Sequence, residues 1–514
     1  MLMLALVAAL TAVAVQSGEL GTSDTTHRLQ ETHSWWTSAP AVYPDEYPEF
    51  GIHGRGGRLH NYYGMGQSVL MLPFDVVATG VAHLSIFRKY DADPEVRSIL
   101  VSYPVNTLVC VFAVVVCFRL LRRFRFSVNQ SLAGALALLF GTTFLHYTQN
   151  MMENNYILLL TLAGLCWQYQ WLQTGSRRAL AIGSCALGLN LLTRLTTGMD
   201  TLAVALYLLL TFWLSDVRGR ALAGRAMEYL KTALPIYAIF GFIDRAYQFR
   251  RFGSWTNTYL SISGAEMRRL NPSLPVNYPF TYPFHLGIRY PFTSPEKSIF
   301  LFDPLLILTL LVALLLWKRL TPPLKAFLLT FAGLLLGYIA FYARFFEWGG
   351  NAAWGDRYVS TPVEYLAFLS VPILLRWRTS LARPVRAMAM AVAAFAVSVQ
   401  LASVAFWCPL ELYQGDTLAH PVVIFLRFKN IAAFALGKMS EWGLVNDSMM
   451  YDPWDWQHIT TWNFFPFVLN RMGVAPTWVV AVALIAWLAV VTAMVASLIA
   501  LARRMLRHEF DSVA

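Results

Sequence analysis

The sequence predicts an all-α integral membrane protein of about twelve transmembrane helices, with outer-face loops and interfacial helices. Three observations predict it. Apolar residues make up 57% of the 514 residues and charged residues only 13%, against roughly 25% charged in soluble domains. The apolar residues gather into many runs of roughly 15–25, about the length that crosses a bilayer. The arginines and lysines between those runs fall on one side.

The runs lie at 2–16, 98–118, 129–146, 154–172, 179–195, 200–214, 232–249, 298–317, 324–342, 358–375, 387–407 and 476–501. The first is short and lacks a basic flank, so a cleaved signal peptide is its alternative reading. Arg194 and Asp200 interrupt the 179–214 region, which reads as two short helices meeting at a turn or as one broken helix. Basic clusters follow the second run (Arg119, Arg122, Arg123, Arg125), the fourth (Arg177, Arg178) and the sixth (Arg218, Arg220, Arg225, Lys231). Others follow the eighth (Lys318, Arg319, Lys325), the tenth (Arg376, Arg378, Arg383, Arg386) and the last (Arg503, Arg504, Arg507). Every cluster follows an even-numbered run. All of them, and both termini, are therefore expected in the cytoplasm of a multi-pass protein of the inner (plasma) membrane, with Asn61 and Asp447 outside.

The net charge of +11 forms no continuous stripe. It reads as topology signal and contact with anionic membrane lipid, and no nucleic-acid partner is expected. Of the five cysteines, Cys110, Cys117, Cys166 and Cys185 lie inside apolar runs and Cys408 ends one. They have no metal-ligand spacing and read as small packing residues. The chain reads as a single polytopic domain, 1–514, with long outer loops at 17–97, 250–297 and 408–475 that hold most of its Asp, Glu, His and Trp. Within the first, 67–87 reads as an interfacial helix. Segment 271–295, rich in Pro, Tyr and Phe, reads as a loop packed on the outer face.

Four segments carry candidate chemistry. In Ser23 to Glu31, the residues Asp24, His27, Arg28 and Glu31 share one face if the stretch is helical. The other readings are an N-cap at Ser23 or Asp24 and surface ion pairing. A carboxyl at the lipid–water boundary is expected to rise in pKa toward neutrality by desolvation, which suits a general base. In the turn 146–155, Glu153 opens an apolar helix, either as a helix-dipole partner or as a functional acid. Arg194 needs a partner, either Asp200 or a phosphate that its planar fork grips. Segment 342–362 combines Gly349-Gly350, Trp354, Asp356 and Arg357. It reads as a binding loop in which tryptophan offers a flat face to a sugar, with an aromatic interfacial belt as the alternative.

Together these segments resemble the GT-C superfamily of membrane glycosyltransferases, which includes the protein O-mannosyltransferases and the aminoarabinose transferase of lipid A. The matching pieces, in order, are the Asp24 loop, Asn61-Tyr62-Tyr63-Gly64-Met65-Gly66-Gln67-Ser68 and the acidic turn at Glu153. Leu192-Thr193-Arg194, Arg251-Phe252-Gly253-Ser254, Ser294-Pro295-Glu296-Lys297 and Trp354-Gly355-Asp356-Arg357-Tyr358 follow. The resemblance implies inverting transfer of a sugar from a polyprenyl-phosphate donor to an acceptor hydroxyl at the outer face. It implies Asp24 as base and Glu153 as a second acidic site, the two being the ligands of any divalent metal (Mg or Mn). Arg28, Arg194, Lys297 and Arg357 are then expected at the donor phosphate, and His27, Tyr63, Trp354 and Asp356 at the sugar or acceptor. The sequence departs from the family pattern twice. Asp24 has no adjacent acid, and Glu296 and Ser298 stand where glycines are usual. Beyond that metal, no cofactor is implied. The rival readings are a lipid or polymer transporter or flippase and an inactive scaffold.

Overall fold

The computed structural model describes residues 1–85, 93–151, 153–215, 219–351, 353–407, 410–415, 422–445 and 461–511. Cys408, Asp447, Arg218 and the end of the 67–87 segment lie outside the described residues. Each of the twelve apolar runs falls on helix. Five helices among the described residues are long and apolar enough to cross a membrane: Val96–Arg123, Leu195–Leu214, Pro322–Tyr342, Arg383–Ser403 and Thr477–Leu506. Shorter apolar helices are Leu2–Val15, Gly66–Ala82 and Val128–Gly141. Leu2–Val15 reaches only about 21 Å. The last helix leaves Val482, Ile485, Leu488 and Ile499 exposed, as a helix facing lipid does. The architecture is an all-α fold suited to a multi-pass membrane protein, with one short hairpin in which Ile52 pairs with His60 and His53 with Leu59.

Two runs are broken, and the breaks answer each other. Pro304 lacks an N–H and disfavours helix in the residue before it, so the 298–317 run splits into Ile299–Phe302 and Leu305–Leu316. Asp303 is left between them. The 129–146 run splits into Val128–Gly141 and Phe144–Gln149. The freed Thr143 N–H donates to the Asp303 carboxylate at 2.7 Å, and the Thr143 hydroxyl lies within hydrogen-bond distance of both Asp303, at 3.1 Å, and Glu364, at 2.9 Å. The 179–214 region is two helices, Arg177–Thr193 and Gly198–Leu214, joined by a short 3₁₀ turn. Arg194 sits at that join in extended backbone.

In the first outer segment Gly66–Ala82 is the helix expected at 67–87, and Ser23–Ser34 is helical, as the one-face reading of Asp24, His27, Arg28 and Glu31 required. In the second, Tyr259–Leu270 is a helix that the sequence did not suggest. Segment 271–295, expected as a loop, contains the helix Phe284–Thr293. Ile288 and Phe292, one turn apart, pack on the main core; the prolines on either side concealed this period. Cys110, Cys117 and Cys166 are buried thiols as expected, whereas Cys185 is exposed.

Candidate active site

Three arginines and two carboxylates from four separate segments of the chain meet at one end of the helices. Helix Ser23–Ser34 is capped by Thr22, whose hydroxyl accepts the Thr25 N–H at 3.2 Å. Neither Ser23 nor Asp24 is therefore the cap, and the Asp24 side chain is free for other work. Asp24 Oδ2 accepts from Arg357 Nη1 at 2.9 Å, and Oδ1 accepts from the Tyr63 hydroxyl at 2.7 Å. Arg28, one turn along, places Nη1 2.8 Å from Glu153 Oε2 and lies 4.3 Å over the Tyr63 ring. The other Glu153 oxygen takes Arg194 Nη2.

The local sequence explains these positions. A Cβ on Gly64 would lie 2.4 Å from the Thr193 carbonyl oxygen. Only glycine lets that turn lie flat on the end of the Arg177–Thr193 helix, and so Tyr63 stands near Arg194. Asn154, next to Glu153, donates to the Arg357 carbonyl at 2.6 Å and to Ser360 Oγ at 2.8 Å, which joins the two acidic sites through one dipeptide. Tyr342 stacks on Tyr358 with centroids 4.2 Å apart. Arg194 and Arg357 lie 5.5 and 5.3 Å over the Tyr358 ring. The resulting cavity is about 890 Å³ and is lined by Asp24, Arg28, Tyr63, Glu153, Arg194 and Arg357, with Tyr62, Tyr259, Tyr342, Tyr358 and Glu347.

Burial raises the Asp24 carboxyl, but Arg357 and Arg28 with the Tyr63 hydroxyl outweigh it and hold the group below its ordinary 3.8. The expectation of a raised Asp24 is therefore reversed: desolvation is present, and neighbouring cations overcome it. The three guanidiniums and the two carboxylates paired with them leave one positive charge, with Glu347 apart from these pairs on the cavity wall. Arg28 Nε and Arg357 Nε are buried without a hydrogen-bond partner. This donor set fits an added anion. It does not fit a divalent metal on Asp24 and Glu153, because both carboxylates are already engaged by arginine and no third metal-ligating side chain joins them among the described residues.

Asp24, Arg28, Tyr63, Glu153, Arg194 and Arg357 thus converge on one cavity; the other four sequence candidates do not line it. His27 is buried behind the wall, stacked on Phe50 at 4.0 Å with Nδ1 3.3 Å from Gln30 Oε1. Lys297 is turned to the backbone, donating to the carbonyls of Asn351, Ala353 and Gly355 at 2.6, 2.7 and 3.1 Å. Gly350 takes φ +75°, which folds the segment back. Trp354 is driven inward, 1% exposed, against His146, Phe302 and Arg427. It offers no face to a sugar. Asp356 is buried and accepts the Tyr358 N–H at 3.1 Å, closing the turn into helix Ser360–Arg376. Asp200 bonds Tyr338 and Thr161, while Arg194 takes Glu153. Glu31 holds Tyr247 at 2.6 Å. Sequence reasoning passed over Glu347, which lies in the quoted loop, and the tyrosine wall. The density of Tyr in outer segments was the available signal.

No family model matches the chain, and no curated protein matches it. Comparison with solved structures finds the oligosaccharyltransferase of Archaeoglobus fulgidus in the apo form at 13% identity and TM-score 0.44, covering 89% of this chain and 60% of that one. It also finds ArnT from Cupriavidus metallidurans bound to undecaprenyl phosphate at 13% identity and TM-score 0.41, covering 91% and 73%. The archaeal oligosaccharyltransferase AglB in complex with an inhibitory peptide and a dolichol-phosphate matches at 15% and 0.41, covering 89% and 59%. These neighbours are GT-C glycosyltransferases. The chain spans about 60% of the length of the oligosaccharyltransferases it resembles.

Proposed function

We propose that this chain transfers a sugar from a polyprenyl-phosphate donor to an acceptor hydroxyl of a lipid, glycan or protein. The observation that carries the proposal is the cluster itself: Arg28, Arg194 and Arg357 surround Asp24 and Glu153 in a tyrosine-walled cavity. Arginine's planar fork matches phosphate oxygens, and developing charge on a leaving phosphate is what such groups stabilise best. The one-sided arginine clusters support a reading in which this end of the molecule faces outward from the inner membrane, in a single domain of about twelve crossings.

In the transfer, the acceptor oxygen forms a bond to the anomeric carbon while the bond from that carbon to the phosphate oxygen breaks. The acceptor proton passes to Asp24, and the electron pair leaves on the polyprenyl phosphate. A single displacement inverts the anomeric centre. Arg357 serves twice. With no donor it neutralises Asp24; a phosphate that draws it away leaves Asp24 beside an anion and therefore more basic. Glu153 keeps Arg28 and Arg194 in register beneath the phosphate. Incubation of purified protein with labelled polyprenyl-phosphate sugars tests the reading, with release of free polyprenyl phosphate expected. Tight donor binding with no release on any acceptor mixture would instead favour a transporter.

A further inference from the structure

A second cavity, of about 550 Å³, lies at the other end of the helices, where Arg119, Arg122, Arg123 and Arg125 meet Trp167 and Gln170. The helix Glu153–Thr174 connects the two sites: Glu153 opens it and Gln170 is near its far end. The separation along that helix is about 25 Å, close to the thickness of a bilayer core.

Topology alone calls for basic residues here, but not for the way these are built. None of the four arginines is in an ion pair among the described residues. Arg122 is turned to the Phe126 carbonyl and Arg123 to the Gln170 side chain. Arg123 Nε is buried with no partner. Arg125 is the stronger sign. It ends its helix with φ +60°, in a turn closed by Phe126 N–H to the Leu121 carbonyl at 3.3 Å and Arg125 N–H to the Arg122 carbonyl at 3.0 Å. This is the helix-ending turn in which glycine is the usual left-handed residue. An arginine there accepts backbone strain that glycine would avoid, and what it adds is a fourth cation at the cavity mouth. Trp167 supplies the amphipathic ring that sits at a headgroup level.

We infer that this cavity binds the phosphate of an anionic phospholipid headgroup from the cytoplasmic leaflet, remote from the candidate active site. The chemistry it recognises is a phosphate anion next to an apolar chain. Basic pockets between membrane helices recognise headgroups in this way.

The test uses the full chain purified in detergent and native mass spectrometry with phosphatidylglycerol, cardiolipin or phosphatidylcholine, each with and without millimolar inorganic phosphate. Retention of the anionic lipids over phosphatidylcholine is expected, undiminished by inorganic phosphate. Arg125→Gly relieves the strained turn, so its thermal stability without added lipid should match or exceed the parent, while its anionic-lipid affinity falls about fivefold. Arg119→Gln combined with Arg125→Gly should lower affinity roughly twenty-five-fold. The loss caused by Arg125→Gly should be the same whether or not Arg357→Gln, at the far site, is also present, which separates this inference from the proposed transferase. Equal retention of phosphatidylcholine, or full affinity in Arg125→Gly, overturns it. Displacement of lipid by inorganic phosphate overturns the lipid assignment and makes the cavity a free-phosphate site. An Arg125→Gly loss that disappears in the Arg357→Gln background moves the lipid to the other end and also overturns it.

Discussion

Asp24→Asn should separate binding from turnover in opposite directions. The asparagine keeps the shape and one carbonyl oxygen for Tyr63 or Arg357, but it accepts no proton and carries no charge. In the parent, Arg357 is held at 2.9 Å by Asp24. Removing that charge raises the cluster from one net positive charge to two. At about 8 Å from a bound phosphate, with an effective dielectric near 20, one unit charge is worth about 2 kcal/mol, roughly a thirtyfold gain in affinity for polyprenyl phosphate. Turnover should fall by about 10²–10⁴, the usual loss with a general base. Titration by tryptophan fluorescence gives the first quantity, and release of polyprenyl phosphate from labelled donor gives the second. Thr22→Ala is the control. It removes the cap, lowers stability by about 1 kcal/mol and leaves turnover within a few-fold. Unchanged or weaker phosphate affinity in Asp24→Asn would refute the charge competition. Turnover within a few-fold of the parent would remove Asp24 as the base.

Because Asp24 is held below 3.8 before donor binds, its proton-accepting form persists through neutral and mildly acid pH. The kcat/KM profile should therefore show no Asp24 limb above about pH 4, and the stability contributed by its ion pair should be lost only as pH falls through that lowered value. Arg194→Lys should weaken donor binding, because lysine loses the fork, whereas Asp200→Asn should leave the donor titration unchanged. Equal defects in the two would restore Asp200 as the partner. Lys297→Met removes three bonds to backbone carbonyls and should lower stability by about 2 kcal/mol while donor affinity stays within a few-fold. A variant of normal stability with lost donor affinity would place Lys297 on the phosphate. Single cysteines at the exposed positions Arg58 and Arg220 should label from outside and inside the cell respectively; the reverse pattern would invert the topology. Arg58 is the better outer reporter because Asn61 is buried, donating to the His27 carbonyl at 3.0 Å.

Helix positions were legible because the bilayer leaves a long apolar run few alternatives. The two broken runs were not, since Thr143 and Asp303 are 160 residues apart and only their meeting makes both breaks tolerable. The charged members of the site were legible one by one, as polar residues beside apolar helices. Their pairing was not: local spacing offered Asp200 to Arg194, while the fold gave Glu153 to Arg194 and Asp24 to Arg357. Asp24 and Arg357 are 333 residues apart. Trp354 and Lys297 were misread for a related reason. A tryptophan in a glycine-rich loop has the same sequence whether it faces a ligand or the core, and the backbone carbonyls that take up the Lys297 ammonium leave no mark in side-chain chemistry.

The resting cluster is already an ion-paired assembly, and this has a bearing on selectivity. An arriving phosphate does not meet three idle cations; it must exchange places with carboxylates that hold them. For a small inorganic anion the exchange returns little net free energy, since one set of charge-assisted bonds replaces another. A ligand with a long hydrocarbon tail gains about 0.8 kcal/mol for each CH₂ it buries, independently of that exchange. Under the proposed function, this arginine–carboxylate cluster therefore acts as a filter that is nearly indifferent to bare phosphate, however abundant, and the tail decides which phosphates stay.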